Sequence, residues 1–500
     1  MADDDKTPFL DVFILTFNAG KAHINPLIFA HHLRNAFAQN ATDLPELVVI
    51  CLQEMAPLEH SFIGSYMINP YFQSWVSAIN LAAHPPDDGP SHNQEAYRPE
   101  SRDGSQDGSQ DEFQYAYRTQ GEPRHSPYTL MTTRHVGMTG ILIFSRDPSA
   151  LDKLKSTEVG FGAGDMANKG AVGLRMLFSK EDAKGRKRQT ELTFVGTHLA
   201  AQEWNLEKRN KNWESIVSGL LFENPRKLHG DKSTQPTPRR SDRDDESQAL
   251  LSQDPNEKQL HDITIYKPGS HLFVAGDLNY RISKTSPTPN SVFPAFNPKS
   301  PVFYRNYLNL DQLTREKAAG RTLHGLSEPP ISFPPTYKLD FKIEAGDDVR
   351  SLSHNGFPPA HDVVFWKWAS HRWPGWCDRV LYLDIPSSTG PDMAISTIAY
   401  DALPPVRTSD HRAVFLRLSV PVIEPSILAP SPEFCASNSD DPRVTLPYPV
   451  DFEAWDHRAR VKKWEWIIGW SMLVSQSKQG IAVFAILVSV GIGAWWLRAQ

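Results

Sequence analysis

Four short apolar runs in this 500-residue chain end in side chains that can do chemistry, and a fifth begins just after such a group. Leu15-Thr16-Phe17-Asn18 ends in an amide, and Ile50-Cys51-Leu52-Gln53-Glu54 in an amide and a carboxylate. Phe194-Val195-Gly196-Thr197-His198 ends in an imidazole, and Phe273-Val274-Ala275-Gly276-Asp277-Leu278-Asn279 in Asp-x-Asn. Ser409-Asp410-His411-Arg412 precedes the run 413–418. Each piece alone reads as a turn or a cap, because Asp and Asn readily satisfy nearby backbone groups. Their recurrence carries the signal. If these runs are strands of one sheet, its rim gathers hard oxygen ligands for Mg²⁺, a general base and donors for a phosphate. Three cysteines without a CxxC pair leave too few soft ligands for zinc and fit a reducing compartment.

The elements that must position these groups are legible as short runs rich in Val, Ile, Leu and Phe. Strands are predicted at 10–17, 47–52, 139–144, 170–178, 191–196, 271–275 and 379–383. Trp213, Ile216, Val217, Leu220 and Leu221 follow helical i, i+3, i+4, i+7, i+8 spacing. Strands recurring with helices over about 400 residues predict one large α/β domain. Stretches at about 85–127 and 225–257 are polar and lack an apolar period, so they read as disordered insertions. The first contains the near-repeat Asp103-Gly-Ser-Gln-Asp-Gly-Ser-Gln. The net charge of −6 argues against nucleic acid as a partner.

The C-terminal part has a different character. Residues 419–457 open with seven prolines before position 450 and read as a linker. Residues 458–479 combine Arg458, Arg460, Lys462 and Lys463 with Trp464, Trp466 and Trp470, a composition suited to a membrane interface. Residues 480–497 carry no charge; as a helix they span about 27 Å, near the thickness of a thin bilayer. Trp495, Trp496 and Arg498 mark its end. The basic residues precede this span, so the expectation is a tail-anchored protein with its bulk in the cytosol, the endoplasmic reticulum being favoured by the short span.

The order of motifs resembles the inositol polyphosphate 5-phosphatases, within the Mg²⁺-dependent superfamily that includes deoxyribonuclease I. The motifs are Thr16-Phe17-Asn18, Leu52-Gln53-Glu54, Asn168-Lys169-Gly170-Ala171-Val172, His198-Leu199-Ala200-Ala201, Gly276-Asp277-Leu278-Asn279-Tyr280-Arg281, Phe333-Pro334-Pro335-Thr336-Tyr337-Lys338, Trp376-Cys377-Asp378-Arg379-Val380 and Ser409-Asp410-His411-Arg412. The resemblance covers about 9–418 and implies a four-layer α/β sandwich of the deoxyribonuclease I-like type, within a catalytic domain of 1–418. It implies Glu54 as Mg²⁺ ligand with Asn18, Asp277 as the group that orients or deprotonates the attacking water, and Asn279, His411 and His198 at the scissile phosphate. Asp378 would hold the other ring nitrogen of His411, and Asp410 would lie near the metal. Asn168, Lys169, Tyr337, Lys338 and Arg379, with Arg281 from the Asp-Leu-Asn motif, would bind substrate, chiefly at the neighbouring 4-phosphate. The chain departs from the family pattern at Ala167, Gln202, Leu339 and Ala413. The implied activity is removal of the 5-phosphate from membrane phosphoinositides such as phosphatidylinositol 4,5-bisphosphate. Soluble inositol polyphosphates as substrates, or a catalytically weak membrane-tethered scaffold, are the alternatives.

Overall fold

The computed structural model describes residues 7–84, 126–229, 255–341, 364–390 and 393–476, with isolated positions beyond. In chain order the strands are β1 (Phe9–Asn18), β2 (Leu47–Gln53), β3 (Thr129–Val136), β4 (Thr139–Ser145), β5 (Leu151–Gly160), β6 (Gly170–Glu181), β7 (Lys187–His198), β8 (Ser270–Asp277), β9 (Leu326–Ser327), β10 (Leu339–Phe341), β11 (Trp366–Trp368), β12 (Asp378–Leu383), β13 (Ser396–Ala402) and β14 (Val414–Pro421). The helices are α1 (Pro26–Ala38), α2 (Leu58–Ile63), α3 (Asn69–Ala83), α4 (Leu206–Gly219), α5 (Pro225–His229), α6 (Pro255–Asp262), α7 (Gln312–Ala318), α8 (Pro425–Leu428), α9 (Pro432–Ser437) and α10 (Ala454–Gln476).

Two six-stranded mixed sheets form, in the orders β13-β14-β1-β2-β4-β3 and β5-β6-β7-β8-β12-β9, with β10 and β11 as a separate ribbon. The parallel pairs β1–β2 and β7–β8 lie at the middle of each sheet. Side chains alternate along each strand, and the central strands are covered on both faces, so β2 and β8 read as continuous apolar runs. Along β1, Leu10, Val12 and Ile14 enter the core between the sheets, against Leu174, Phe194 and Phe273 of the second sheet. Phe13, Leu15 and Phe17 face the other way, toward Phe29 and Leu33 of α1 and Trp75 of α3. The outer face of the second sheet, with Val195, Leu272 and Val274, packs on Trp213, Ile216 and Val217 of α4. The result is the expected four-layer sandwich. Asn25 caps α1 by accepting from the Leu27 and Ile28 amides, with Pro26 at the first helical position.

The C-terminal part folds otherwise than its prolines suggest. Strand β14 runs on to Pro421, because Val420 and Val422 continue the buried alternation. The segment expected as a linker then packs on the domain. Pro442 O accepts from His261 Nε2 at 3.0 Å, the Asp451 amide donates to Ser218 O at 2.9 Å, and the Trp455 indole donates to Leu221 O at 3.0 Å. The insertion expected at 225–257 begins and ends in helix, at α5 and α6. The insertion expected at about 85–127 lies outside the described residues except for its ends. Among the described residues no helix is long and apolar enough to cross a membrane. The span expected at 480–497 falls, apart from isolated positions, outside them.

Candidate active site

Strand register brings the polar run-ends together at one rim of the sandwich. Asp277 closes β8; it stands opposite His198 on the parallel neighbour β7 and opposite Asp378, the first residue of β12. Asn18 closes β1 opposite Gln53 of β2, and Glu54 follows directly. The Asn18 side-chain amide donates to Asp277 Oδ2 at 3.1 Å, a bond that crosses from one sheet to the other. The Asp410-His411 turn precedes β14. Ser409 Oγ ties it to the rim by donating to Asn18 O at 2.5 Å. Glu54 and Asn279 both have positive φ, at 43° and 56°, where the chain turns sharply off its strand.

His411 sits between two carboxylates. Its Nδ1 is 2.9 Å from Asp378 Oδ2 and its Nε2 is 3.8 Å from Asp277 Oδ2. Thr336 Oγ1 donates to the same Asp378 oxygen at 2.7 Å. Burial alone would lower the His411 pKa, but Asp378 and Asp277 overturn that and lift it to about 9. Burial raises Asp378 to about 6 against the pull of His411. Burial would also raise Asp277, yet His411, His198 and Lys169 hold it far below the usual carboxylate range. These directions favour an imidazolium held between two carboxylates. Among the described residues, Asp277, Asp378 and His411 form a buried group whose potential ligand atoms lie within 4.8 Å of one another.

A second pair, His198 and Lys169, flanks Asp277. His198 Nε2 is 3.2 Å from Asp277 Oδ2 and also contacts Lys169 Nζ. Burial, then Lys169, lowers the His198 pKa. Lys169 Nζ is 3.7 Å from Glu54 Oε1, and Lys21 Nζ is 3.7 Å from Glu54 Oε2. Burial would raise the Glu54 pKa, but His198, Lys169 and Lys21 hold it down. Asn168 packs over Gly162, where a Cβ would lie 1.6 Å from Asn168 Oδ1. That loop therefore needs the glycine.

The remaining expected residues divide. The Asn279 amide donates to Asp277 Oδ1 at 3.1 Å, and its side chain donates to Leu199 O at 3.2 Å. Arg281 Nη2 donates to Asn279 Oδ1, while its guanidinium stacks 4.2 Å from the centre of the Tyr337 ring. Tyr337 in turn packs on His411, ring centres 4.6 Å apart. Lys338 is ion-paired with Asp410. Arg379 does not join this set, which corrects its expected place at the 4-phosphate. Neighbours on a strand point to opposite faces. With Asp378 facing the rim, Arg379 faces away and is enclosed, pairing with Glu328 at 2.6 Å and Asp311 at 3.1 Å.

Three participants went unassigned in the sequence: Lys21 beside Glu54, Thr336 on Asp378, and Ser409 on Asn18. Thr336 and Ser409 lie inside motifs already singled out. Lys21 could have been found as the cation directly after the turn that follows Asn18. Of the departures from the family pattern, Gln202 accepts from Arg372 Nη2 at 2.7 Å, and Leu339 is buried at the start of β10. Ala167, also fully buried, donates its amide to Glu465 Oε1 at 2.6 Å.

The family described as Endonuclease/Exonuclease/phosphatase family 2 matches residues 15–417, the span that holds every rim residue and both sheets but for the outer ends of β1 and β14. The chain belongs to that family. Among curated proteins it is 28% identical over 293 residues to inositol-1,4,5-trisphosphate 5-phosphatase 1 of Schizosaccharomyces pombe, covering 57% of this chain and 19% of that protein. It is 26% identical over 391 residues to phosphatidylinositol 3,4,5-trisphosphate 5-phosphatase 2B of Danio rerio, covering 73% of this chain and 25% of that protein. The chain thus spans a quarter or less of the length of these relatives. A solved inositol polyphosphate 5-phosphatase domain of a synaptojanin, bound to inositol (1,4)-bisphosphate and calcium, is 20% identical with a TM-score of 0.47, covering 85% of this chain and 89% of that one.

Proposed function

We propose that this protein is an Mg²⁺-dependent phosphatase that removes the 5-phosphate of membrane phosphoinositides, phosphatidylinositol 4,5-bisphosphate and related lipids. The observation that carries the reading is the His411–Asp277–His198 cluster, with Lys169 beside it, in a chain whose relatives are named as 5-phosphatases.

The residues suit the ion. Glu54 presents a carboxylate whose nearest cations are 3.7 Å away, beyond ordinary hydrogen-bond length, and Asn18 adds an amide oxygen. Hard oxygens of this kind fit Mg²⁺, which would supply charge compensation for the phosphoryl oxygens. The chain's own groups do the rest. Ionised Asp277 holds and orients the attacking water. The His411 imidazolium, fixed by Asp378, donates toward a phosphoryl oxygen as negative charge grows there. Lys169 and Lys338, with Asn168 and Tyr337, receive the adjacent 4-phosphate. Arg281 acts through Asn279 and Tyr337.

Residues 480–497 are proposed to span a membrane, with the catalytic domain on the cytosolic side and the endoplasmic reticulum as its site. This confinement favours lipid over soluble substrates. The S. pombe relative is named for a soluble trisphosphate, so free inositol phosphates are the competing substrate class. The test is phosphate release by the full chain in Mg²⁺ from phosphoinositides and soluble inositol phosphates, with Asp277→Ala alongside. Release from 5-phosphorylated lipids, cut about 10³-fold or more in the variant, is the expected outcome. Release chiefly from soluble inositol phosphates would replace the lipid reading, and no release from either would replace the enzymatic one.

A further inference from the structure

Helix α10 encloses an ion pair on its inner side and leaves large apolar side chains exposed. A helix docked on a protein normally buries its apolar stripe and shows charge to water. Here the buried positions Val461, Glu465 and Gly469 place a carboxylate at the middle of the contact. Glu465 is enclosed; its Oε1 accepts from the Ala167 amide, and Arg458 grips both its oxygens at 2.8 and 2.6 Å. Arg458 also reaches Glu158 at 3.0 Å. One turn further, Gly469 lies against α2 so closely that a Cβ would fall 2.9 Å from Phe62 Cβ and 3.1 Å from the Ile63 amide nitrogen. The outward side carries large apolar groups among its basic ones. Trp464 is 63% exposed, Trp466 55%, Ile467 45% and Val474 47%. A cluster of large exposed apolar side chains on one element marks an interaction surface.

We propose that this outer face of α10 lies on an anionic lipid surface. Three observations select lipid over a protein groove. Arg460 and Lys463, both exposed, adjoin the apolar cluster on its N-terminal side, the complement of acidic headgroups. Tryptophans flank the exposed stripe, and their rings favour the level of the headgroups. The chain then passes within a few residues into the uncharged run 480–497. Arg458 and Lys462, expected to serve the membrane, are instead engaged with Glu158, so the basic contribution narrows to Arg460 and Lys463.

This inference rests on the lipid reading of the active site and gives it a structure. The inner face of the same helix holds Ala167, next to Asn168 and Lys169 of the proposed headgroup site. Lipid docking and headgroup capture would thus belong to one packed unit, with α10 setting the distance between bilayer and cleft.

The test reconstitutes the full chain with phosphatidylcholine vesicles, with and without phosphatidylserine. One readout is quenching of tryptophan fluorescence by lipids with brominated chains, which needs no enzymatic activity. The other is the ratio of turnover on vesicle phosphoinositide to turnover on a water-soluble short-chain phosphoinositide. Trp464→Phe/Trp466→Phe should lose a measurable share of the quenching seen in the parent chain. Arg460→Glu/Lys463→Glu should lower the vesicle-to-soluble ratio about tenfold on phosphatidylserine vesicles and leave soluble turnover within twofold. Unchanged quenching in the tryptophan variant would overturn the proposal, as would an unchanged ratio in the charge variant. So would a concentration-dependent dimer that these substitutions dissolve, because the face would then cover a second copy of the chain. If the chain releases no phosphate at all, the quenching arm still decides the lipid contact while the reading of the active site fails separately.

Discussion

Two buried histidines stand near opposite ends of the sandwich, and the same burial leaves them in opposite states. At the rim, His411 lies beside Asp277, the last residue of β8, and its pKa is raised to about 9. Six residues back along β8, about 20 Å away, His271 bonds through Nε2 to Pro421 O at 3.2 Å, and burial lowers its pKa to about 4. Burial disfavours the charged ring in both places. What differs is the company: two carboxylates face His411, whereas a backbone carbonyl faces His271. One end of the strand is a site of stored charge, and the other is a neutral polar joint between the sheets.

The largest test of this contrast removes the carboxylate that fixes His411. Asp378→Asn is expected to lower phosphate release about 10²- to 10³-fold and to bring the His411 pKa down from about 9, as followed by NMR titration. If the His411 pKa stays in place, Asp277 alone sets the charge at this end. A second pair of variants separates charge that serves substrate from charge that serves the fold. Arg379→Met should cost on the order of 3–5 kcal/mol in denaturant unfolding, because Glu328 and Asp311 are left enclosed without their partner, and should leave KM alone. Lys169→Met should do the reverse, raising KM with little loss of stability. The smallest effect concerns the neutral end. The His271 pKa lies below its unfolded value of about 6.5, so the unfolded chain binds more protons between pH 6.5 and 4. Stability should therefore fall as pH drops through that window, by at most about 1.4 kcal/mol per pH unit from this residue. His271→Gln should flatten that part of the profile relative to the parent chain, and an unaltered slope would assign it to carboxylates elsewhere.

The strands that carry the rim were legible because both of their faces are covered. Continuous apolar runs such as 47–52 allow few other structures, and the observed β2 differs from that expectation by one residue. Strand β5 was missed for the opposite reason: Asp152, Lys153, Leu154, Lys155 and Ser156 are all exposed, so the apolar pattern is absent. Helices α1 and α3 were passed over although their buried faces are regular; only α4 was marked by its spacing. Arg379 shares a motif with Asp378 but not its place, because the two-residue period of a strand sends adjacent side chains to opposite faces. The segment after 419 packs on the domain despite its prolines, which report a broken hydrogen-bond ladder and not slack. Its anchoring comes from backbone carbonyls and single side chains at irregular intervals, which leave no periodic trace.

The Asn18–Asp277 bond has a mechanical consequence. Its two residues belong to different sheets, and the packed layer of Leu, Val, Ile and Phe between those sheets makes the largest contribution to their separation. The centre is thus a seam whose aperture is governed chiefly by a hydrophobic interface that takes no part in the chemistry. Shaving a methyl group from Phe194's neighbours would be felt at the seam as a change in aperture, so turnover becomes a gauge of how tightly the two halves of the sandwich are pressed together.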